Sequence, residues 1–486
     1  MDPLSVLASN VSLIMGVINL LGAVLIIHYE YRDPRAAVLW LLILFLVPAF
    51  GLIAYFLFGR SMHWTRRSFR TKEAKDRQRL EDLVQLSAID GSPAALDGEG
   101  LAEYAPLARM LQANRSFLTT GNRVRLINDG EEKFRLLFKD LEGATDHINA
   151  EYYIVRDDAL GRRFLDTLAR KAEQGVEVRL LTDGVGTRIP RDRIAELRRR
   201  GVKVLSFFPP VWERFPAFNL RMNHRNHRKI VVIDGQVGYL GGYNVGDEYL
   251  GRDRRLGRWR DTHLRIEGSG VLDLQARFLL DWSFSSAGGL DVSPRYFPHR
   301  GAAGTGAVQI VSGGPDKRQD LVKESYLKMI GLARRSVCLQ SPYFIPDASV
   351  LDALRVAALS GVDVRVMVPR TRDHPLVHWA NLAYLGELVE VGVKAYLYRD
   401  GFLHAKTIVV DGAIASVGSA NWDIRSLELN FETNAIIYCR RLAQEQEEAF
   451  MQDLLICQQW KLADHLARST WVKVKCSFAR VFSPLL

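Results

Sequence analysis

The chain opens on two long apolar runs and then changes character. Residues 4–27 and residues 36–59 carry no charged side chain, 24 residues in each case. As helices at ~1.5 Å per residue, such runs exceed a bilayer hydrocarbon core of ~30 Å. Between them stand Glu30, Arg32, Asp33, Pro34 and Arg35, the polar turn of a hairpin. Trp40 and Tyr55 lie near the ends of the second run, where amphipathic rings favour the membrane interface. A cleaved leader needs a basic segment ahead of a short apolar core, and no Lys or Arg precedes Arg32. The pattern predicts a two-helix transmembrane hairpin over residues 1–60; a hairpin buried in a protein core is the competing reading.

Past residue 60 the apolar positions come in short runs separated by helix-like stretches. Residues 148–155 read as a strand, and residues 175–181 as a second one after a helical interval. The same succession returns at residues 337–345 and 361–367. Short apolar strands alternating with helical patterns predict α/β layers built on central sheets. Recurrence over so long an interval indicates two duplicated domains rather than a solenoid. The expected organisation is a basic, polar linker over residues 61–105, including Asp90, Gly91, Ser92 and Pro93, a first domain over 106–300 and a second over 301–486.

Charge refines this picture. The 486 residues hold 65 Lys plus Arg against 55 Asp plus Glu, a formal net charge of +10 that suits an acidic partner, nucleic acid or anionic lipid. Eight of the basic residues fall within 60–79, directly after the second apolar run. The positive-inside rule then keeps the remainder of the chain in the cytoplasm. Cys338, Cys439, Cys457 and Cys476 form no C-x-x-C pair, so they read as reduced thiols rather than a disulfide framework or zinc knot. The last residues, 471–486, mix apolar and basic side chains and suit either a membrane surface or an ordinary final strand.

Each domain ends in the same phrase. His227, Lys229 and Asp234 are followed by Gly241, Gly242 and Asn244; His404, Lys406 and Asp411 are followed, after the same gap, by Gly418, Ser419 and Asn421. On an extended strand alternate side chains share a face, so each His and Lys pair points one way. Asp234-Gly235 and Asp411-Gly412 are turn sequences that bring Asn244 and Asn421 back toward the same edge. Imidazole, ammonium and amide together suit the oxygens of a phosphate, and lysine and amide donors stabilise a five-coordinate transition state. Displacement at phosphorus needs a nucleophile and a proton donor on opposite sides. Two histidines supply both if the domains face each other about a pseudo-twofold axis. Asp261 and Glu432, downstream of the motifs, stand where acceptors for the second ring nitrogens are needed. Asp234 and Asp411 count as catalytic candidates through the motif, with turn or ion-pair roles as the alternative. His224, His263, His374 and His378 have no duplicate and are set aside. Neither motif has metal-ligand spacing, so the site is expected to hold no metal and no cofactor.

At these residues the chain resembles the phospholipase D superfamily, whose signature is this doubled motif, and within it the bacterial cardiolipin synthases. The resemblance extends over residues 51–59, 223–229, 401–406 and 425–432. It implies an α/β phospholipase D-like fold with mixed sheets flanked by helices. It also implies a metal-free transfer of a phosphatidyl group from one phosphatidylglycerol to another through a phosphohistidine. By that likeness His227 is the nucleophile, His404 the general acid and then base, Glu432 the partner of His227 and Asp261 that of His404. The partners expected are the cell membrane and an anionic phospholipid, not nucleic acid. A hydrolase, phospholipase or nuclease, shares the same half-sites, and a scaffold without activity is the third reading. Gly242 in place of a second Ser419 makes the halves unequal.

Overall fold

The computed structural model describes residues 3–31, 34–48, 50–58, 80, 82–84, 91–98, 100–208, 224–286, 293–298, 301–316, 319–481 and 483. The basic run 60–79, Asp90 of the linker and Asn223 lie outside the described residues.

Among the described residues, no helix is long and apolar enough to cross a membrane. The first apolar run lies in the helix Pro3–Tyr29. The second, expected as one span, is instead two helices, Pro34–Leu46 and Phe50–Phe58, folded against each other. Pro48 is the reason, because it offers no N–H and its ring clashes with the preceding turn. Beyond it the chain doubles back: Tyr55 meets the Trp40 ring edge-on at 5.4 Å, and its hydroxyl donates to Glu30 at 3.1 Å. The close approach needs Gly51, since a Cβ there would stand 2.6 Å from the Leu44 Cα.

The rest of the chain forms two seven-stranded units that mirror each other in strand order. In the first, β1 (Leu118–Ile127), β2 (His147–Tyr152), β3 (Glu177–Asp183), β4 (Lys203–Phe207), β5 (Ile230–Ile233), β6 (Val237–Gly241) and β8 (His263–Glu267) take the order β1-β8-β6-β5-β2-β3-β4. In the second, β9 (Gly306–Gly313), β10 (Ser336–Gln340), β12 (Asp363–Pro369), β13 (Lys394–Tyr398), β15 (Thr407–Val410), β16 (Ile414–Gly418) and β18 (Glu432–Tyr438) take the order β9-β18-β16-β15-β10-β12-β13, with β19 (Cys457–Trp460) added at the edge. Strands β2, β3 and β4 are parallel, as are β10, β12 and β13; the remainder of each unit is antiparallel. The expected duplication and mixed sheets are both present.

One strand stitches the units together. Leu118, Thr119 and Asn122 of β1 pair with β9, with a register shift between Thr119 and Asn122, and Arg123 to Ile127 pair with β8. The two sheets also pack face to face through a buried apolar layer of Val124, Ile230, Leu240, Ile310, Val417 and Ile437. The predicted strand 337–345 is interrupted after Gln340 and resumes as the two-residue β11 (Phe344–Ile345), because Pro342 has no N–H for the ladder. Among the described residues no strand follows β19; residues Thr470–Val481 are helical.

Candidate active site

Neither histidine motif lies within a regular ladder. Residues His227 to Lys229 precede β5, and His404 to Lys406 run between β14 (Phe402–Leu403) and β15. Both segments are extended and pair with the opposite unit. Asn226 bridges Phe431 in parallel, and the His227 N–H donates to the Phe431 carbonyl at 3.0 Å. Likewise β14 runs parallel to β7 (Trp259–Arg260), Leu403 opposite Arg260, and the His404 N–H donates to the Arg260 carbonyl at 2.7 Å. The residue after each pairing partner is a carboxylate. The backbone register therefore delivers Glu432 to His227 and Asp261 to His404.

The side chains complete these crossed contacts. Nδ1 of His227 lies 2.9 Å from Oε1 and 3.1 Å from Oε2 of Glu432, and Nδ1 of His404 lies 2.6 Å from Oδ2 of Asp261. Both carboxylates are fully buried. Burial alone would raise them, but the charges of His227 and Lys229 hold Glu432 below the usual range. Lys406 and His404 do the same for Asp261. With Asp261 ionised, the His404 Nδ1–H donates to it. Lys406, also 2.7 Å from that nitrogen, bonds the His404 main-chain carbonyl, as Lys229 bonds that of His227. Nδ1 being occupied, Nε2 is the ring nitrogen left for chemistry in each half.

Electrostatics couple the halves. Burial lowers both imidazoles: His227 lies below its ordinary value, and His404, with Lys406 beside it, falls to about 3. Burial also draws Lys229 down to about 7 and Lys406 to about 8. The charge of each lysine reaches the histidine of the other motif. A ring flanks each imidazole, Tyr153 at 5.0 Å from His227 and Trp259 at 4.8 Å from His404.

The halves differ where the sequence marked a difference. The Ser419 hydroxyl donates to Oε2 of Glu432 at 2.5 Å, and the Asn430 amide donates to Oε1 at 3.3 Å. At Gly242 a Cβ would stand 2.0 Å from Oδ1 of Asp261, so the shorter carboxylate occupies the space a side chain would need. Asp261 takes the Thr262 N–H at 2.8 Å instead.

The remaining candidates scatter. Asp234 and Asp411 are not at the site: they sit beyond the far ends of β5 and β15, in left-handed turn positions with φ of 52° and 56°. Asp234 accepts the N–H groups of Thr145, Asp146 and His147, and Asp411 those of Arg334, Arg335 and Ser336. Each ties its turn to the start of the neighbouring strand, the alternative role named for it, and neither is bonded to a motif histidine or lysine. Asn244 accepts the Ile154 N–H and donates to the Tyr249 hydroxyl, bracing two loops. Asn421 is buried, and its Oδ1 has no hydrogen-bond partner.

Sequence reasoning missed Arg228, the residue between His227 and Lys229. Buried to 1% exposure, it binds both oxygens of Asp281 and the Gly313 and Glu432 carbonyls, clamping the first motif to the second unit. The available signal was a third cation set between the histidine and lysine that lead into an apolar strand. Among the described residues no cluster of His, Cys, Asp and Glu could hold a metal ion.

Two mirrored α/β units that share paired histidines and lysines across their seam define the phospholipase D-like class. A solved structure described as phosphatidylserine synthase from Haemophilus influenzae Rd KW20 has this fold: TM-score 0.57 and 13% identity, over 75% of this chain and 95% of that one. The family described as cardiolipin synthase, PLD-like domain, matches residues 137–257 and 326–454, and a phospholipase D-nuclease N-terminal family matches residues 17–60. Cardiolipin synthase of Staphylococcus aureus is 45% identical over 475 residues, 97% of this chain and 95% of that one. The major cardiolipin synthase of Bacillus subtilis is 44% identical over 478 residues, 97% and 98% of the two chains. The chain belongs to the cardiolipin synthase family.

Proposed function

We propose that this enzyme transfers a phosphatidyl group from one phosphatidylglycerol to a second, giving cardiolipin and glycerol. The observation that carries the reading is the crossed pairing, in which each imidazole is fixed through Nδ1 by a carboxylate of the other unit. In the first step Nε2 of His227 attacks phosphorus and the bond to the glycerol oxygen breaks. His404, as imidazolium, gives its proton to that oxygen. In the second step neutral His404 takes the proton from a hydroxyl of the incoming phosphatidylglycerol. That oxygen bonds phosphorus as the P–N bond breaks. Lys229 and Lys406 supply positive charge to the phosphoryl oxygens throughout. The phosphodiester's negative charge opposes that of Lys406 and raises His404 from its low value. Glu432 and Asp261 stabilise the imidazolium forms, and Asn244 braces the loops that carry Ile154 and Tyr249.

The apolar amino-terminal helices fit a membrane seat. Leu20, Phe45 and Phe50 are each more than 60% exposed, far more apolar surface than water rewards. The basic run after them favours a cytoplasmic position for the two catalytic units. Residues 1–60, 61–105, 106–300 and 301–486 then serve as membrane seat, linker and the two halves of the catalytic body.

The experiment is incubation of purified, detergent-solubilised protein with labelled phosphatidylglycerol, with products read by mass spectrometry. Cardiolipin with free glycerol is the expected result; phosphatidic acid as the sole product would replace transfer with hydrolysis.

A further inference from the structure

The helix Thr470–Val481 carries two apolar faces. Its inward face, Val472, Cys476 and Ala479, packs on the protein core against the helix Pro375–Val389. Arg480 ties it to Glu387, and Lys475 lies over the rings of Trp379 and Trp471 at 5.2 and 5.6 Å. Its outward face is Trp471, Val474, Phe478 and Val481, spaced three, seven and ten residues from the first, which puts all four on one side of an α-helix. They are exposed by 67%, 49%, 58% and 74%, and Leu466 of the preceding short helix adds another 60%. Beyond residue 60, eleven large apolar side chains among the described residues are comparably exposed, and eight of them lie between 455 and 481. That concentration separates this face from the scattered apolar residues of an ordinary surface.

Charge identifies the occupant. Between the two apolar faces run basic edges: Lys475 on one side, Lys473 and Arg480 on the other. The helix Thr470–Val481 contains no acidic residue. A second copy of this chain docked on the same face would bring these cations against their own kind. An anionic bilayer offers hydrocarbon to the apolar face and phosphate to both edges, with Trp471 at the depth such rings favour.

We propose that this carboxy-terminal helix lies in the surface of an anionic phospholipid bilayer, as a second membrane contact separate from the amino-terminal helices. Its underlying helix, Pro375–Val389, begins just after Asp373, which accepts a hydrogen bond from the Tyr343 hydroxyl and whose charge acts on Lys406. The contact therefore sits on an element that starts two residues after a carboxylate whose charge reaches Lys406. Its use in presenting lipid to the site rests on the transferase reading; its existence does not.

The test is a nitroxide attached at V474C in the full chain, with C439S and C457S to remove the half-exposed native thiols and E448C as a solvent-facing control. The protein is reconstituted into phosphatidylcholine vesicles with and without one-third phosphatidylglycerol. The expected result is that the label at 474 becomes several-fold more accessible to oxygen than to an aqueous nickel chelate. The effect should be stronger with phosphatidylglycerol, while the label at 448 stays water-like. Water-like accessibility at 474 in phosphatidylglycerol vesicles would overturn the proposal. So would spin–spin broadening between labels on two chains, which would assign the face to a second copy. Because the readout needs no turnover, its failure is distinct from failure of the enzymatic reading.

Discussion

His227 is held at its Nδ1 by Glu432, 205 residues further along the chain, at 2.9 Å. The equivalent bond from His404 runs backward to Asp261, across 143 residues. Losing an orienting carboxylate misdirects the ring tautomer and removes the counter-charge of the imidazolium, a loss on the order of a hundred- to ten-thousand-fold in kcat. E432Q and D261N should both fall in that range while their melting temperatures stay near the parent's. The two histidine variants should part company in acid-quenched mass spectrometry. H227A yields no phosphatidyl-enzyme, whereas H404A, lacking the acid of the first step and the base of the second, forms adduct slowly and releases it slowly. Near-normal turnover in either alanine variant would sink the two-histidine mechanism.

The unequal supports of the two carboxylates give a second expectation. S419A removes one donor to Glu432 and the acceptor of the Thr433 N–H, so kcat should drop about ten-fold, ~1.4 kcal/mol in the barrier. G242A forces a methyl into the Asp261 carboxylate and should cost considerably more, through displacement of His404. Kinetics on the two purified variants decide it; equal losses would mean that the two pairs are equivalent.

Titration provides a third. Burial lowers Lys229 to about 7 and Lys406 to about 8, so each loses its charge as pH rises through its lowered value. The kcat/KM for phosphatidylglycerol, which reports the free enzyme, should decline between roughly pH 7 and 8. The profile of kcat should decline later, because bound phosphate favours the ammonium forms. K229R, which does not titrate there, should move the alkaline limb upward even at reduced rate. An unchanged limb would detach it from Lys229.

For Asp234 the expected loss is in folding rather than chemistry. D234A would leave three backbone N–H groups without their acceptor and cost on the order of 3 kcal/mol. Burial pushes the Asp234 carboxyl up, but its hydrogen bonds prevail and hold it below the usual range. Its contribution is thus present above the unfolded carboxylate pKa, near 4, and is lost as pH falls through the folded value. Thermal melts of D234A should drop by several degrees while the folded fraction keeps most of its kcat; loss of kcat in well-folded protein would return Asp234 to the chemistry.

Much of the site was legible because duplication marks it. His227 with Lys229 and His404 with Lys406 recur at fixed spacing, and Asp261 and Glu432 each directly follow a residue that pairs with a motif segment of the other unit. What stayed hidden depends on distance in space. The motif spacing could not separate a catalytic aspartate from one that caps a turn, since Asp234 and Asp411 repeat as faithfully as the histidines. Counting charges along residues 36–59 overlooked that Pro48 and Gly51 let the run fold on itself. The tail's alternating apolar and basic residues fitted strand and helix alike, until packing against Pro375–Val389 selected the helix.

The seam formed by β1 and the crossed carboxylates has a genetic consequence. Each repeat carries half of two histidine–carboxylate pairs rather than the whole of one. Lesions at His227 and at Glu432 lie in different repeats yet strike the same pair; lesions at His227 and Asp261 share a repeat and strike different pairs. A map of defects ordered by phenotype therefore interleaves the two repeats, and neither repeat can be exchanged for a diverged copy unless its carboxylate is chosen to fit the other's histidine.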